Sequence, residues 1–462
     1  MNPGPTTSEK PWLILPIEIK ARELDAKTYV ACAAAEAGFR VMLGDQNALL
    51  RRLALLPRGL YVDKSIARRK VHIFSRLKRL GFRVLAWCEE GLVYRNRDAY
   101  LNERVAPKAF DDVDALFAWG SNQATDVRSA VNDTPPRIFE TGNPRFDLLR
   151  PGLRELYRGE ADALRARYGD FILINTNFGR YNHYFGRDEV LETVKKRGSV
   201  RNAEDEAFFR AWVDFLGQVF HSFEDMLPRL ARAFPDRTII LRPHPSENHD
   251  TWRKIAAGIP NVHVIYEGAV TPWLLASALS IHNSCTTGLE GALMDKPALA
   301  YRTVRSETYD SFLPHRVSLN AGSFDELVAA VESVYADTYR APLKNDAGVR
   351  ADVEHYIASL EGPPATERIL SKITSLGDLP VSQGSLAARV LDQGEQVLRT
   401  IARTVLAPLR STGGYARQKF PGLALEEIEA LVERYRILTG RFGSVQVRQD
   451  TADTFTLDAQ PR

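Results

Sequence analysis

The sequence predicts an α/β protein made of two successive doubly wound domains followed by a helical C-terminal appendix. Three observations carry this. From Pro11 onward short apolar, β-rich runs alternate with longer helical patterns, the signature of βα units and a parallel sheet. A second such series starts at Phe171. After Pro380 the helical periodicity continues without strand alternation. At 462 residues the chain is long enough to bury two cores.

In order, Trp12 to Pro16 reads as a strand, Asp25 to Ala37 as a helix and Phe39 to Leu43 as a strand. Gln46 to Leu55 is helical, Leu60 to Val62 a strand, Ser65 to Leu80 a basic helix and Arg83 to Trp87 a strand. Ala115 to Trp119 and Ile138 to Thr141 complete a first Rossmann-like domain, 1–168. In the second, 169–380, strands are expected at Phe171 to Asn175, Thr238 to Leu241, His263 to Tyr266, Leu279 to His282 and Ala298 to Tyr301. Helices fall at Glu204 to Phe234, Trp252 to Ala257, Pro272 to Ala278 and Thr287 to Met294, and three more close the domain after Phe324. Residues 381–462 form the appendix. Two such domains with a cleft between them are the GT-B architecture of nucleotide-sugar transferases, which epimerases share.

Composition narrows the function classes. The chain has 61 Lys and Arg against 58 Asp and Glu, a formal charge of +3, so its total offers no argument for nucleic-acid binding. Cys32, Cys88 and Cys285 are too few and too scattered for a disulfide framework or paired zinc ligands, as expected in a reducing compartment. The first ten residues lack a signal-peptide core and no apolar run is long enough to span a bilayer. A cytoplasmic protein is expected, free or peripheral at the inner face of the membrane. Seven basic residues and no acid lie between Ser65 and Arg83, and five and no acid between Arg399 and Lys419. Removing these twelve from the total leaves −9, so the near-neutral sum hides two basic segments. Each is either a solvated helix face or a contact with an anionic membrane or glycolipid.

Four segments have the residue types for chemistry. Arg242-Pro243-His244-Pro245-Ser246-Glu247 directly follows a strand, where ligands of parallel sheets gather, and its prolines stiffen the turn that aims His244. A histidine held there can donate to a phosphate and stabilise a leaving nucleotide; the alternative is a structural turn histidine. Ile281 to Glu290 runs from strand to helix through Ser284, Thr286 and Thr287, which together with backbone N–H groups make an anion site or an ordinary helix cap. Cys88-Glu89-Glu90-Gly91 ends a strand of the first domain. Adjacent carboxylates there make either a base of raised pKa, turned by Gly91, or a solvated acidic loop. Asn175-Thr176-Asn177-Phe178-Gly179-Arg180 supplies amides for a base or sugar and an arginine for a carboxylate or phosphate, or is a plain Asn-rich turn. Arg145 is a hinge salt bridge or a ligand contact. Asp112-Val113-Asp114 precedes its strand and is read as structural, and no catalytic metal or other cofactor is expected.

The Glu-Glu-Gly, His-Pro and Ser/Thr segments, in this order, resemble the motifs of GT-B transferases that use CMP-activated sialic acid or Kdo. Leu15 to Arg302 also resembles the bacterial surface carbohydrate biosynthesis proteins, through Gly142-Asn143-Pro144-Arg145-Phe146-Asp147, Ile174-Asn175-Thr176-Asn177-Phe178 and the segment around His244. The resemblance implies a metal-independent glycosyltransferase of capsule or lipopolysaccharide assembly, with a nucleotide-sugar donor and a glycan or glycolipid acceptor. It makes the first domain the acceptor side, with Glu90 the leading catalytic carboxylate and Glu89 second. The second domain becomes the donor side. There His244, Ser284, Thr286 and Thr287 would hold the CMP phosphate region and Glu290 the ribose; read from the residues themselves, Arg242 and Pro245 beside His244 and the amides of Asn175 and Asn177 are the further candidates for the nucleotide, and Arg145 and Arg180 those for the substrate. A retaining enzyme would need a second carboxylate, for which Asp147 and Asp214 are candidates. Polyol-phosphate transferases of teichoic-acid type, which use a CDP-polyol, and a non-catalytic nucleotide-sugar-binding subunit are the alternatives.

Overall fold

A computed structural model describes residues 10–94, 96–131, 137–196, 198, 200–377, 386–395 and 420–460. Its strands are β1 (Trp12–Ile17), β2 (Arg40–Asp45), β3 (Gly59–Asp63), β4 (Arg83–Trp87), β5 (Ala115–Ala118), β6 (Arg137–Glu140) and β7 (Ile172–Asn175). They continue as β8 (Ile239–Arg242), β9 (Val262–Val264), β10 (Leu279–His282), β11 (Ala298–Tyr301), β12 (Leu319–Ala321), β13 (Val445–Thr451) and β14 (Thr454–Ala459). The described chain forms two compact units. The first takes residues within Met1–Gly91, Arg104–Leu148 and Tyr356–Arg462, the second those within Leu92–Glu103 and Leu149–His355.

The first unit is an eight-stranded sheet in the order β13-β14-β2-β1-β3-β4-β5-β6. β1 to β6 pair in parallel, and β14 joins β2 antiparallel. Runs such as Leu13 to Leu15 and Val84 to Trp87 are apolar on both faces because helices cover both. The helix Lys20–Glu36 is buried almost all round, since the helix Leu425–Thr439 lies on its outer side. Tyr435 is 5.2 Å from the Tyr29 ring and donates its hydroxyl to Asp25 O at 2.8 Å. The C-terminal segment is thus part of the first unit's core.

That segment is helical at 386–395 and Leu425–Thr439, and it ends in the β13–β14 hairpin, which the expectation of no strand alternation there does not contain. Phe455 and Leu457 of the hairpin point into the core beside β2. The units exchange chain at Leu148 and Tyr356, upstream of the expected boundaries near Tyr168 and Pro380. Packing explains the difference. Tyr168, at the end of the helix Arg158–Tyr168, lies against Trp273 of the second unit at 5.9 Å, while Thr366 is bound to Asp147 in the first.

The second unit is a parallel sheet in the order β12-β11-β10-β7-β8-β9. The helix Ala203–Ala233 packs Phe220, Phe223, Met226 and Leu227 against Ile174, Phe178 and Trp252. From β7 the chain winds outward to β8 and β9, then returns to the other side of β7 as β10, so the topological switch lies between β7 and β10. In the first unit the equivalent switch lies between β1 and β3.

The basic helix of the first unit is spent internally. Lys70, Arg76, Lys78, Arg79 and Arg83 pair with Asp63, Asp392, Asp114, Glu395 and Asp114 respectively, and Arg68, Arg69 and Arg79 are its exposed cations. The second basic segment, 399–419, lies outside the described residues. Among the described residues no helix is long and apolar enough to cross a membrane.

Candidate functional site

The polar residues of the second unit collect at the carboxyl ends of β7, β8 and β10. Asn175 ends β7 and His282 ends β10, and the two are direct neighbours across the sheet. The turns that follow are joined, because Asn177 N donates to Asn283 Oδ1 at 2.7 Å. That bond fixes the Asn283 amide and leaves its buried Nδ2 as a donor with no protein partner. One amide atom of Asn175 is buried and unsatisfied in the same way.

Beyond β10 the chain passes Ser284, a non-glycine residue at φ +68°, and enters the helix Thr286–Leu293. Left-handed backbone at a serine is strained and persists where surrounding structure enforces it. Ser284 Oγ accepts from Ser311 N at 3.2 Å. The helix has no side-chain N-cap, contrary to the ordinary capping alternative, and the Thr287 hydroxyl is buried without a partner beside its first N–H groups. Helix and strand lie so close that a Cβ on Gly288 would stand 2.2 Å from His282 Nε2, so only glycine fits there. His282 Nε2 lies 2.8 Å from Ser318 Oγ, whose own hydrogen goes to Pro314 O. Nε2 therefore carries the proton, and Nδ1 is a buried acceptor without a partner. Burial, with His315 beside it, pushes the imidazole down to about 3, so it is neutral. Four buried polar groups, on Asn175, His282, Asn283 and Thr287, thus surround the switch point unsatisfied, where native interiors leave few such groups.

His244 is held from the neighbouring strand end. Ser246 N donates to His244 Nδ1 at 3.2 Å and Ser246 Oγ lies 2.8 Å from the same atom, so in the neutral ring the proton sits on Nε2. Glu247 joins this turn to the one after β7. Its Oε1 accepts from Thr176 Oγ1, Phe178 N and His244 N at 2.8, 3.0 and 3.1 Å, and its Oε2 from Trp252 Nε1 at 2.8 Å. Burial raises the Glu247 pKa while these donors draw it back, and four donors require the acceptor-only carboxylate.

The other expected residues are placed as follows. Arg242 turns away from the turns and donates to Glu267 O and Gly268 O at 2.6 and 2.8 Å, stacked on Tyr266 and Trp273; burial lowers it to about 10. Pro245 is half-buried beside His244, Asn177 and Thr286 border the same turns, and Glu290 is buried one turn along the helix. Arg180 pairs with Glu103 at 3.3 Å and lies 4.3 Å over the Trp212 ring, so the carboxylate it reaches is the protein's own.

In the first unit Glu89 and Glu90 diverge. Glu89 is buried, accepting from Trp87 Nε1 at 2.8 Å, with Arg145 Nη1 at 3.6 Å from its other oxygen. Glu90 is half-exposed and accepts from Arg22 Nη2 at 2.8 Å, with Arg104 at 3.9 Å. The expected raised carboxyl is not found at Glu90: Arg22 holds it well below the usual range. Gly91 packs against the Gln123 amide, which a Cβ at this position would have to displace, since it would lie 2.0 Å from Gln123 Nε2.

Arg22 belongs to a network that the sequence motifs did not single out. Glu23, fully buried, accepts from Lys27 at 2.7 Å and Lys64 at 3.2 Å and from the backbone N–H of Glu18 and Ile19, and Lys64 also pairs with Glu18 at 2.8 Å. Burial works against the ionised Glu23, yet Lys27 and Lys64 outweigh it and lower its pKa. Of the candidates for a second carboxylate, Asp147 is buried and caps the helix Ala365–Thr374 through Ala365 N and Thr366 N, and Asp214 is exposed on the helix Ala203–Ala233. Asp112 accepts from Ser75 Oγ and Asp114 from Lys78. Among the described residues no three His, Cys, Asp or Glu side chains group as metal ligands.

The fold has known relatives. A structure of the wall teichoic acid polymerase TagF soaked with CDPG is similar at 11% identity and a TM-score of 0.51, over 80% of this chain and 89% of that one. TagF without the soak gives 0.50 at the same identity and coverage. MnaA from S. aureus with UDP is similar at 14% identity and 0.47, over 80% of this chain and 96% of that one. No family model and no curated protein sequence matches the chain. At these identities the likeness is one of fold: the chain has two Rossmann-like α/β units of the GT-B type.

Proposed function

We propose that the chain is a glycosyltransferase of bacterial surface polysaccharide assembly that transfers a sugar, of Kdo-like or sialic-acid-like ulosonate type, from a CMP-activated donor. One observation carries the reading: at the switch point of the second unit, buried donors and an acceptor lie unsatisfied around an uncapped helix N-terminus, with His244 held on the adjacent strand end. A nucleotide supplies what this set lacks. Its phosphate takes the N–H groups of the helix Thr286–Leu293, the Thr287 hydroxyl and His244 Nε2–H, and its sugar hydroxyls and base meet His282 Nδ1 and the Asn175 and Asn283 amides. His244 then stabilises the charge that grows on the departing phosphate, an interaction strongest in the transition state.

In the first unit Glu90 is the accessible member of the carboxylate pair, ionised at neutral pH by Arg22. Such a carboxylate is a weak base. It takes the acceptor proton late, once bond formation to an oxocarbenium-like sugar has made that hydroxyl acidic. Glu89, tied to Trp87 and near Arg145, holds the turn in place.

Polyol-phosphate transfer from a CDP-polyol is the second reading, favoured by the fold likeness to TagF. Donor turnover separates the two. The first requires CMP release from a CMP-sugar; release from CDP-glycerol with none from any CMP-sugar selects the second. Unchanged turnover in folded Glu90→Gln and His244→Ala proteins would refute the catalytic roles assigned here.

A further inference from the structure

The first unit has a basic cavity at the amino end of its sheet, the end opposite to Glu18, Lys64 and Glu90. It measures about 360 Å³ and is lined by Lys10, Arg40, Arg58, Arg389 and Arg448, with Asp450 as the acid of its wall. Trp12 at the start of β1 and Leu55 give it an apolar side. Arg58 is the telling residue. It is 4% exposed, its Nε and Nη2 are buried with no hydrogen-bond partner, and Nη1 has only a 3.5 Å contact to Leu56 O. Among the described residues no carboxylate pairs with it. Asp392, whose field reaches Arg58, gives its oxygens to Arg76 at 2.6 and 2.8 Å. The Nε of Arg389 is buried and unsatisfied as well, and these two guanidinium groups repel each other.

The remaining cations are only partly neutralised. Lys10 and Arg40 share Asp458, and Arg448 pairs with Asp450. Phe82 lies 5.2 Å from the Arg58 guanidinium, a contact too weak to offset burial of an unpaired charge. Five cations against two acids, with the buried Arg58 guanidinium and the Nε of the partly buried Arg389 lacking acceptors, call for a multiply charged oxyanion, and the planar fork of arginine matches the geometry of a phosphoryl group.

We propose that this cavity binds a phosphoryl group, with Arg58 as its buried donor and the partly buried Arg389 beside it, Arg40, Arg448 and Lys10 at its mouth, and Trp12 and Leu55 against the body that bears the phosphate. The site is separate from the one assigned to the donor nucleotide.

Calorimetric titration of inorganic pyrophosphate into the full chain carrying His244→Ala, which weakens phosphate binding at the donor site, tests it. Saturable binding is expected, weakened about tenfold or more by Arg58→Gln and by Arg448→Gln. Arg448 is a surface residue, so its variant keeps the test valid should Arg58→Gln not fold. Sedimentation with phosphatidylcholine vesicles containing phosphatidic acid identifies the source. Vesicle binding that pyrophosphate displaces and Arg448→Gln abolishes assigns a lipid headgroup; pyrophosphate binding without vesicle binding assigns a soluble phosphate. No saturable binding of either probe, or binding that neither substitution alters, overturns the proposal.

Discussion

The two units place polar residues at the same point of similar sheets, around the switch between strands that wind in opposite directions, yet the two sets differ in kind. In the first unit the set is charged and mostly paired: Glu23 with Lys27 and Lys64, Lys64 with Glu18, and Glu90 with Arg22 and Arg104, although Arg22 Nε and Glu89 Oε2 are buried without a hydrogen-bond partner. In the second it is largely neutral and incomplete, with Asn175, His282, Asn283 and Thr287 each holding a buried polar atom that nothing in the protein satisfies. Pairing keeps a carboxylate fixed and ionised, Glu23 in the interior and Glu90 at the half-exposed end of the network. Unsatisfied neutral groups are complementary to a ligand that arrives from outside. Under the proposed function this difference corresponds to a reacting carboxylate in one unit and nucleotide binding in the other.

Removing the charge at the centre of the first network should have the largest effect. Glu23→Gln leaves Lys27 buried without its counter-charge and Lys64 with Glu18 alone, and should cost about 3–5 kcal/mol in denaturant unfolding. A cost below about 1 kcal/mol would mean that the network is not a structural frame. Next, Glu90→Gln should lower kcat about 10²–10⁴-fold with little loss of stability, because this carboxylate is half-exposed. Third, Thr287→Val should weaken nucleotide binding about tenfold and leave the unfolding midpoint nearly unchanged, because the hydroxyl has no protein partner to lose. A large drop in stability would show instead that the group is satisfied within the fold.

The smallest effect is on pH dependence. Glu23 and Glu90 have folded pKa values below their unfolded ones, so the stability they add is complete above the unfolded carboxylate value of about 4.3 and is lost as pH falls below it. Glu247 runs the other way, since its raised pKa favours the folded state as pH falls. Unfolding midpoints should therefore decline below about pH 4.3 in the wild type and decline less in Glu23→Gln. An equal decline in both would remove Glu23 from the account.

Much of the fold was legible because buried parallel strands are short unbroken apolar runs. Arg83 to Trp87, Leu279 to His282 and Ala298 to Tyr301 fall where their composition puts them. The closing hairpin was harder to read. Val445 and Val447 alternate with polar residues, as do Phe455, Leu457 and Ala459, but this short signal stands next to a strong helical one. The position of the candidate site was legible where a motif follows a strand, as at His244 after β8 and at Ser284 to Thr287 after β10. Glu23, Lys27 and Lys64 were not, because a charge at helical spacing reads as a solvated face and only the tertiary fold buries it. Glu247 stood inside a motif already singled out, yet its role depends on donors from the turn after β7 and on Trp252. Arg242 and Arg180 showed the reverse: both sit beside the site in sequence, and both are taken up by neighbouring carbonyl or carboxylate oxygens.

The most direct test of the central assignment is a calorimetric comparison of CMP, UDP, GDP and ADP binding to the wild type and to His244→Ala. Selective CMP binding that weakens about tenfold or more in the variant is the expected result. A preference for UDP, or CMP binding that His244→Ala leaves unchanged, would contradict it.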